Sequence, residues 1–288
     1  MVIRRDERSW PLIRVVGGWV TVPMPDVYTH GHHPSVLRSH TWRTVANSAA
    51  YLEPLLRPGM SLLDIGCGPG TLTIDLARRV APGRVLGIDA SGEVLEGARE
   101  RVVEAGVDVE LAVGDVYHLD LPDDSFDVVH AHQVLQHLTD PVAALREMRR
   151  VARPGGIVAV RDADFGAFTW HPEPPGMEEW LHLYRDVTQA NRAECHAGRH
   201  LLSWALAAGF TDVTPGADVW CFATSEERRW WAGLWAERTV HSDFARQAIA
   251  YRLADDVLLE SLHDAWLEWG EAPDAWFAVV HGELIARV

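Results

Sequence analysis

The chain has 288 residues, 48% of them hydrophobic, enough to bury a sizeable core as one large domain or a core with elaborations. With 41 acidic against 26 basic residues, the formal charge of -15 repels a phosphate backbone, and no basic stripe with interleaved aromatics offsets it, so nucleic acid is excluded as a substrate. There is no lysine, which removes Schiff-base, pyridoxal-phosphate and P-loop chemistry, and Cys67, Cys195 and Cys221 lie too far apart to suggest a disulfide framework or a zinc cluster. No apolar run approaches the roughly 20 residues that cross a bilayer, and no apolar signal core follows Met1, so a cytoplasmic chain without a membrane span is expected.

Residues 1–40 read as an irregular N-terminal lid segment carrying Tyr28 and the run His30-Gly31-His32-His33. A helix is predicted from about Ser39 to Leu56, ended by Pro58-Gly59. Regular alternation follows, with strands at Ser61–Ile65, Val85–Asp89, Val109–Val113, Phe126–Ala131 and Ile157–Val160. Between them lie helices at Thr71–Val80, Gly92–Ala105 with Ser91 as its cap, and Pro141–Val151, which stops at Arg153-Pro154-Gly155-Gly156. Strands alternating with helices at this spacing imply βαβ units and a mostly parallel sheet covered on both faces.

Further on, Phe165–Gly176 reads as a loop, Met177–Asn191 and Leu201–Ala208 as helices, and Asp212–Val213 with Asp218–Ala223 as a sixth strand region. Helices then run intermittently from Ser225 to about Gly270, before a final strand or hairpin over Trp276–Val288. The organisation predicted is a lid at 1–40, a core at 41–224 with an insertion at about 165–200, a helical insertion at 225–275, and a last core strand at 276–288.

Chemistry concentrates beyond the carboxyl ends of the strands, where open α/β sheets bind ligands. Gly66, Gly68 and Gly70 follow the first core strand and open a helix, so a backbone free of side chains can approach a ligand there. The spacing is GxGxG, one residue shorter than the GxGxxG dinucleotide fingerprint, which shifts the reading from NAD toward S-adenosylmethionine (SAM). Asp89, ending the second strand, suits ribose hydroxyls as an acceptor-only carboxylate. Gly114-Asp115-Val116 follows the third strand, and Asp123, Asp124 and Asp127 read as solvated loop acids.

These residues, with Leu63-Asp64-Ile65-Gly66-Cys67-Gly68-Pro69-Gly70, Gly87-Ile88-Asp89-Ala90-Ser91, Phe126-Asp127-Val128-Val129, Gln133-Val134-Leu135-Gln136-His137-Leu138 and Arg153-Pro154-Gly155-Gly156, resemble class I SAM-dependent methyltransferases. The resemblance is to the branch holding ubiquinone and menaquinone C-methyltransferases and many natural-product methyltransferases. It implies an α/β, Rossmann-like, doubly wound seven-stranded sheet whose last strand is antiparallel, here with helical lid elements at both termini. It further implies SAM as cofactor and S-adenosylhomocysteine (SAH) as product, with Asp89 on the ribose, Asp115 near the adenine amino group and the glycine turn beside the methionine part. The cofactor set expected is Asp64, Gly66, Cys67, Gly68, Gly70, Asp89, Ala90, Gly114, Asp115, Val116, Gln133 and Tyr28.

Methyl transfer needs positioning, desolvation and, for a protonated acceptor, a base. His132, His137 and Asp162 are the candidates, with Asp164 as a rival and His30, His32, His33 and His40 in a segment able to fold over the cofactor. No metal is expected, since the His-rich run has no carboxylate or cysteine cluster beside it. Ten of the 13 tryptophans lie after Asp164, most as core of an added helical layer and some as walls of a substrate site. The acceptor expected is small and largely apolar, natural-product-like or quinone-like, with homodimerisation left open. Two other readings stand beside this one: a SAM-binding protein that does not methylate, either a cyclase or a regulatory subunit, and an NAD-dependent oxidoreductase.

Overall fold

The computed structural model describes residues 12–15, 18–21 and 26–288. Of the expected N-terminal lid, residues 1–11, 16–17 and 22–25 lie outside the described residues. An antiparallel hairpin of β1 (Leu12–Val15) and β2 (Gly18–Thr21) falls within a segment expected to be irregular.

The single helix expected at Ser39–Leu56 is broken into α1 (Pro34–Thr41), α2 (Val45–Ser48) and a 3-10 turn at Glu53–Leu55. The break has a local cause: Thr44 and Asn47 form a reciprocal capping box that starts α2 afresh. The alternation that follows is β3 (Leu62–Ile65), α3 (Thr71–Val80), β4 (Val85–Asp89), α4 (Gly92–Ala105), β5 (Glu110–Val113), β6 (Phe126–His132), α5 (Pro141–Val151) and β7 (Ala152–Ala163). Ser91 caps α4 through the Val94 amide, as expected. Arg153 to Gly156 do not interrupt the chain as a turn; they are carried inside β7, where the register against β6 shifts between Phe126 and Val128.

The segment read as a loop after β7 contains β8 (Thr169–His171), followed by α6 (Pro175–Ala190) and α7 (Ala197–Ala207). β9 (Asp212–Phe222) is one continuous strand rather than two pieces, with Pro215 on an edge strand, where proline is tolerated. Then come α8 (Ser225–His241), α9 (Asp243–Ala250), α10 (Asp256–Glu271) and β10 (Trp276–Arg287).

The sheet runs β5-β4-β3-β6-β7-β10, with β9 on the far side of β10. β3 to β7 are mutually parallel and β10 is antiparallel to both neighbours. β8 adds an eighth strand, paired to the Trp276–Ala278 end of β10. Successive residues of β3 point to opposite faces: Leu62 packs with Leu72, Leu76 and Val45, while Leu63 packs with Leu145, Met148 and Leu201. A third core lies beyond β10, where Trp231, Trp266 and Trp269 of α8 and α10 pack on Phe277, and Trp180 of α6 and Trp235 of α8 pack on those rings. This aromatic layer roofs the carboxyl ends of β6 and β7.

Candidate active site

The β3–α3 turn forms one wall. Gly66, Gly68 and Gly70 all have positive φ, at 66°, 52° and 82°, the left-handed region in which a Cβ is strained. A Cβ on Gly66 would also collide with Val134, so glycine is required there twice over. Asp89 accepts from the Gly68 amide at 2.9 Å and from the Ser91 amide at 2.9 Å, one donor on each oxygen. Each oxygen retains a lone pair for a ligand hydroxyl. Asp115 is held by the Tyr117 amide at 2.9 Å and lies 3.3 Å from His118 Nδ1, with Val116 buried beside it.

These residues line a cleft of about 970 Å³, together with Asp64, Cys67, Ala90, Gly114, Gln133, His132, His137 and Tyr28. Every residue of the expected cofactor set lines this cleft except Gly70, which lies behind the turn as the N-cap of α3. Asp64 differs from the others in how it is used: its oxygens are taken by Thr73 Oγ1 at 2.5 Å and by His130 Nδ1 at 2.7 Å, which ties β3 to α3 and β6. Burial holds the Cys67 thiol well above its usual range, so it is packing material rather than a nucleophile.

A second, smaller pocket of about 40 Å³ lies deeper, walled by Phe165, Phe168, Trp220, Trp231 and Trp235 with Arg238, His30 and Gln136. Tyr28, His40, Arg43, Gln133 and His137 line both spaces. The two cavities therefore meet at a wall that the chain builds from its N-terminal segment and from the loop after β6. Gln133, with φ of 54°, is fixed there by its amide on the Arg161 carbonyl at 2.7 Å and by its side chain between Arg43 and His281.

The candidate bases occupy different places. His137 lies at the junction, edge-on to Tyr28 at 4.8 Å, and burial followed by the Arg43 charge pulls its pKa down to about 3, so it is neutral at physiological pH. His132 lines the large cleft with neither ring nitrogen hydrogen-bonded; burial, then Arg43, Arg161 and neighbouring histidines, holds its pKa well below the ordinary value. Asp162 lines neither cavity: it is 0% exposed, accepts from the Gln136 amide at 3.0 Å, and burial raises its pKa to about 8. The rival Asp164 is paired with Arg199 at 2.6 Å and caps the turn after β7.

Of the N-terminal histidines, His30 packs on Tyr184 with Nε2 3.0 Å from its hydroxyl, His33 caps α1, and His32 and His40 reach the large cleft. Among the charged residues of the inner pocket, Arg43 and Arg238 escaped the sequence reading, and Gln136 entered it only as part of the motif after β6. Arg238 left a trace, since it continues the apolar α8 spacing of Trp231 and Trp235 at a position where a charge is out of place.

A parallel sheet with glycines at its first βα turn and a carboxylate ending the next strand defines a Rossmann-like enzyme that holds a nucleoside-containing cofactor. The chain belongs to the methyltransferase-domain family, which matches residues 56–232, and it is a class I SAM-dependent methyltransferase. An uncharacterised methyltransferase of Schizosaccharomyces pombe is 33% identical over 90% of this chain and 96% of its own length. The probable methyltransferase ltbC of Aspergillus luteorubrus is 30% identical over the same shares, 90% and 96%. Phosphoethanolamine N-methyltransferase 2 of Haemonchus contortus, solved with SAM, has the same fold at a TM-score of 0.55 and 18% identity, over 94% of this chain and 62% of that one. Among the described residues, no helix is long and apolar enough to cross a membrane.

Proposed function

We propose that the protein methylates a small, flat, largely apolar acceptor, natural-product-like or quinone-like, whose reacting atom enters the aromatic inner pocket. The observation that carries this reading is the shared wall: Tyr28, His40, Arg43, Gln133 and His137 border both the large cleft and the inner pocket. When bound, SAM supplies an electrophilic methyl on a sulfonium, with SAH leaving. The chain's own share is to hold and desolvate. Asp89 takes the ribose hydroxyls, Asp115 and Val116 the adenine, and the Gly66–Gly70 turn the methionine part, where a Cβ at Gly66 has no room. His137 at the junction accepts a hydrogen bond but is a weak base, so the wall orients the acceptor rather than driving proton removal.

The test is calorimetric titration with SAM, SAH and NADH, followed by incubation with SAM and a panel of phenols, quinols and enols while SAH is measured by mass spectrometry. Saturable SAH binding and SAH formation with a flat acceptor are expected. Binding of NADH in place of SAH overturns the reading. Binding of SAH with no turnover anywhere on the panel favours a SAM-binding protein that does not methylate.

A further inference from the structure

A buried charge is stable only when it is paired and hydrogen-bonded. The inner pocket holds two arginines that are not paired. Arg238, 4% exposed, donates through Nη2 to the Ser35 carbonyl at 3.0 Å and to Ser39 Oγ, and stacks on Trp235 at 4.9 Å. Arg43 donates through Nη2 to Gln133 Oε1 at 2.5 Å and lies 6.0 Å from the Trp220 ring. Among the described residues neither makes an ion pair, and Nε of each is buried without a partner.

Among the described residues no carboxylate is within ion-pair reach of either guanidinium, although Arg43 also borders the large cleft. Among the described residues, no carboxylate lines the pocket. Asp162, near Arg43, keeps its proton at neutral pH, and burial keeps Tyr28 neutral by pushing its pKa up to about 12. Glu237, near Arg238, turns outward to Arg38 at 2.6 Å. Burial draws both guanidiniums down to about 10, and for Arg43 the charge of Arg238 adds to the effect. Arg161, fully buried where Arg43 is half-buried, and facing the same Trp220, shows the structural alternative: Asp218 at 3.1 Å and Glu283 at 3.4 Å neutralise it. Arg228, also buried on α8, is spent on the Ala223 carbonyl and lies outside the pocket.

We propose that the inner pocket is an anion site, in which Arg43 and Arg238 bind a negatively charged oxygen group of the acceptor, a carboxylate or an ionised phenol or enol. This deepens the reading given above and rests on it. The pocket's 40 Å³ suits such a head group, while the apolar body extends along the tryptophans. Donor-only, planar guanidiniums on aromatic faces match oxygen anions in geometry as well as charge. An acceptor held as its anion needs no strong base, which agrees with neutral His137 at the junction.

The experiment uses the SAH-loaded protein at constant ionic strength and reads tryptophan fluorescence, since Trp220, Trp231 and Trp235 line the pocket. Acetate is compared with acetamide, which has the same shape without the charge, and in a second arm 4-nitrophenol is titrated while its absorbance reports ionisation. Acetate is expected to half-saturate at a concentration at least tenfold below that of acetamide if the natural group is a carboxylate. Bound 4-nitrophenol ionising at lower pH than free marks the phenol or enol class. Arg238→Met should abolish either preference and leave SAH affinity, read by calorimetry, within twofold, because Arg238 does not line the large cleft. The proposal is overturned if SAH binds normally while acetate gains nothing over acetamide and 4-nitrophenol is not ionised. Failure of SAH to bind instead strikes the methyltransferase reading itself.

Discussion

Asp162→Asn offers a quantitative check on the buried polar interior. Folding raises this carboxyl from an ordinary 3.8 to about 8, because burial outweighs the backbone amides of Gln136 and Leu135 and the charge of Arg43, and Oδ2 is left without a partner. An acid whose pKa is raised by folding holds its proton more tightly in the native state, so its contribution is most favourable below pH 4 and is lost as pH climbs to about 8. At about 1.4 kcal/mol per pH unit, the ceiling on the cost is about 4 kcal/mol by pH 7. Asparagine keeps the acceptor for the Gln136 amide and cannot ionise, but it leaves an amide hydrogen unpaired at about 1–3 kcal/mol. The variant should therefore be more stable than wild type by about 1–3 kcal/mol at pH 7, with the difference rising from pH 5 to pH 8 and reversing to a deficit of about 1–3 kcal/mol near pH 4, where only the unpaired amide hydrogen counts. Urea unfolding of both proteins at each pH gives the difference directly, and subtraction removes the buried histidines common to both. A difference that stays flat between pH 5 and pH 8 refutes the argument.

Asp89→Ala should weaken SAH binding at least about tenfold by calorimetry, since a charge-assisted hydrogen bond is worth about 1.5–3 kcal/mol, whereas exposed Asp115→Ala should cost only a few-fold. Gly66→Ala must place a Cβ at φ of 66° and against Val134, so SAH affinity should fall by about tenfold or more while the urea midpoint moves modestly. Trp266→Ala, at a site 0% exposed and packed on Trp180 at 4.7 Å, should cost about 3–5 kcal/mol in unfolding free energy with SAH affinity within twofold. Equal effects of Asp89→Ala and Asp115→Ala, or a Trp266→Ala variant that loses SAH without losing stability, would contradict the placement of cofactor and core on separate elements.

The cofactor half was readable because its chemistry is local. A buried strand, three glycines and a helix start occupy eight consecutive residues from Leu63 to Gly70, and Asp89 follows at the end of the next strand. The inner pocket, where the acceptor is proposed to bind, was not readable in that way. Arg43 and Arg238 are 195 positions apart and become neighbours only once α8 packs over the sheet, and nothing nearby in sequence signals that either lacks an acid. The same limit applied to secondary structure. β8 is three residues long and exists through its pairing with β10 about a hundred residues later, while Arg153 to Gly156 carry turn residues that the β6 pairing absorbs as an irregularity. Tryptophan spacing placed the aromatic layer, but which rings face the pocket and which fill the core depends on the helix packing: Trp231 and Trp235 reach the pocket, while Trp266 and Trp269 do not.

The three helices α8 to α10 form a single excursion that leaves the sheet at Phe222 and returns at Trp276, at the facing ends of two paired strands. The wall carrying Trp231, Trp235 and Arg238 is thus a loop clamped at both feet, while the residues around Asp89 and Asp115 belong to other connections. Such a loop can be exchanged as a cassette: residues 225–275 from a relative would carry a new acceptor surface onto an unchanged cofactor cleft, with the β9–β10 ladder setting its position. The rest of the pocket wall, Gln136, Phe165, Phe168 and Trp220, would stay with the core and bound what such an exchange can alter.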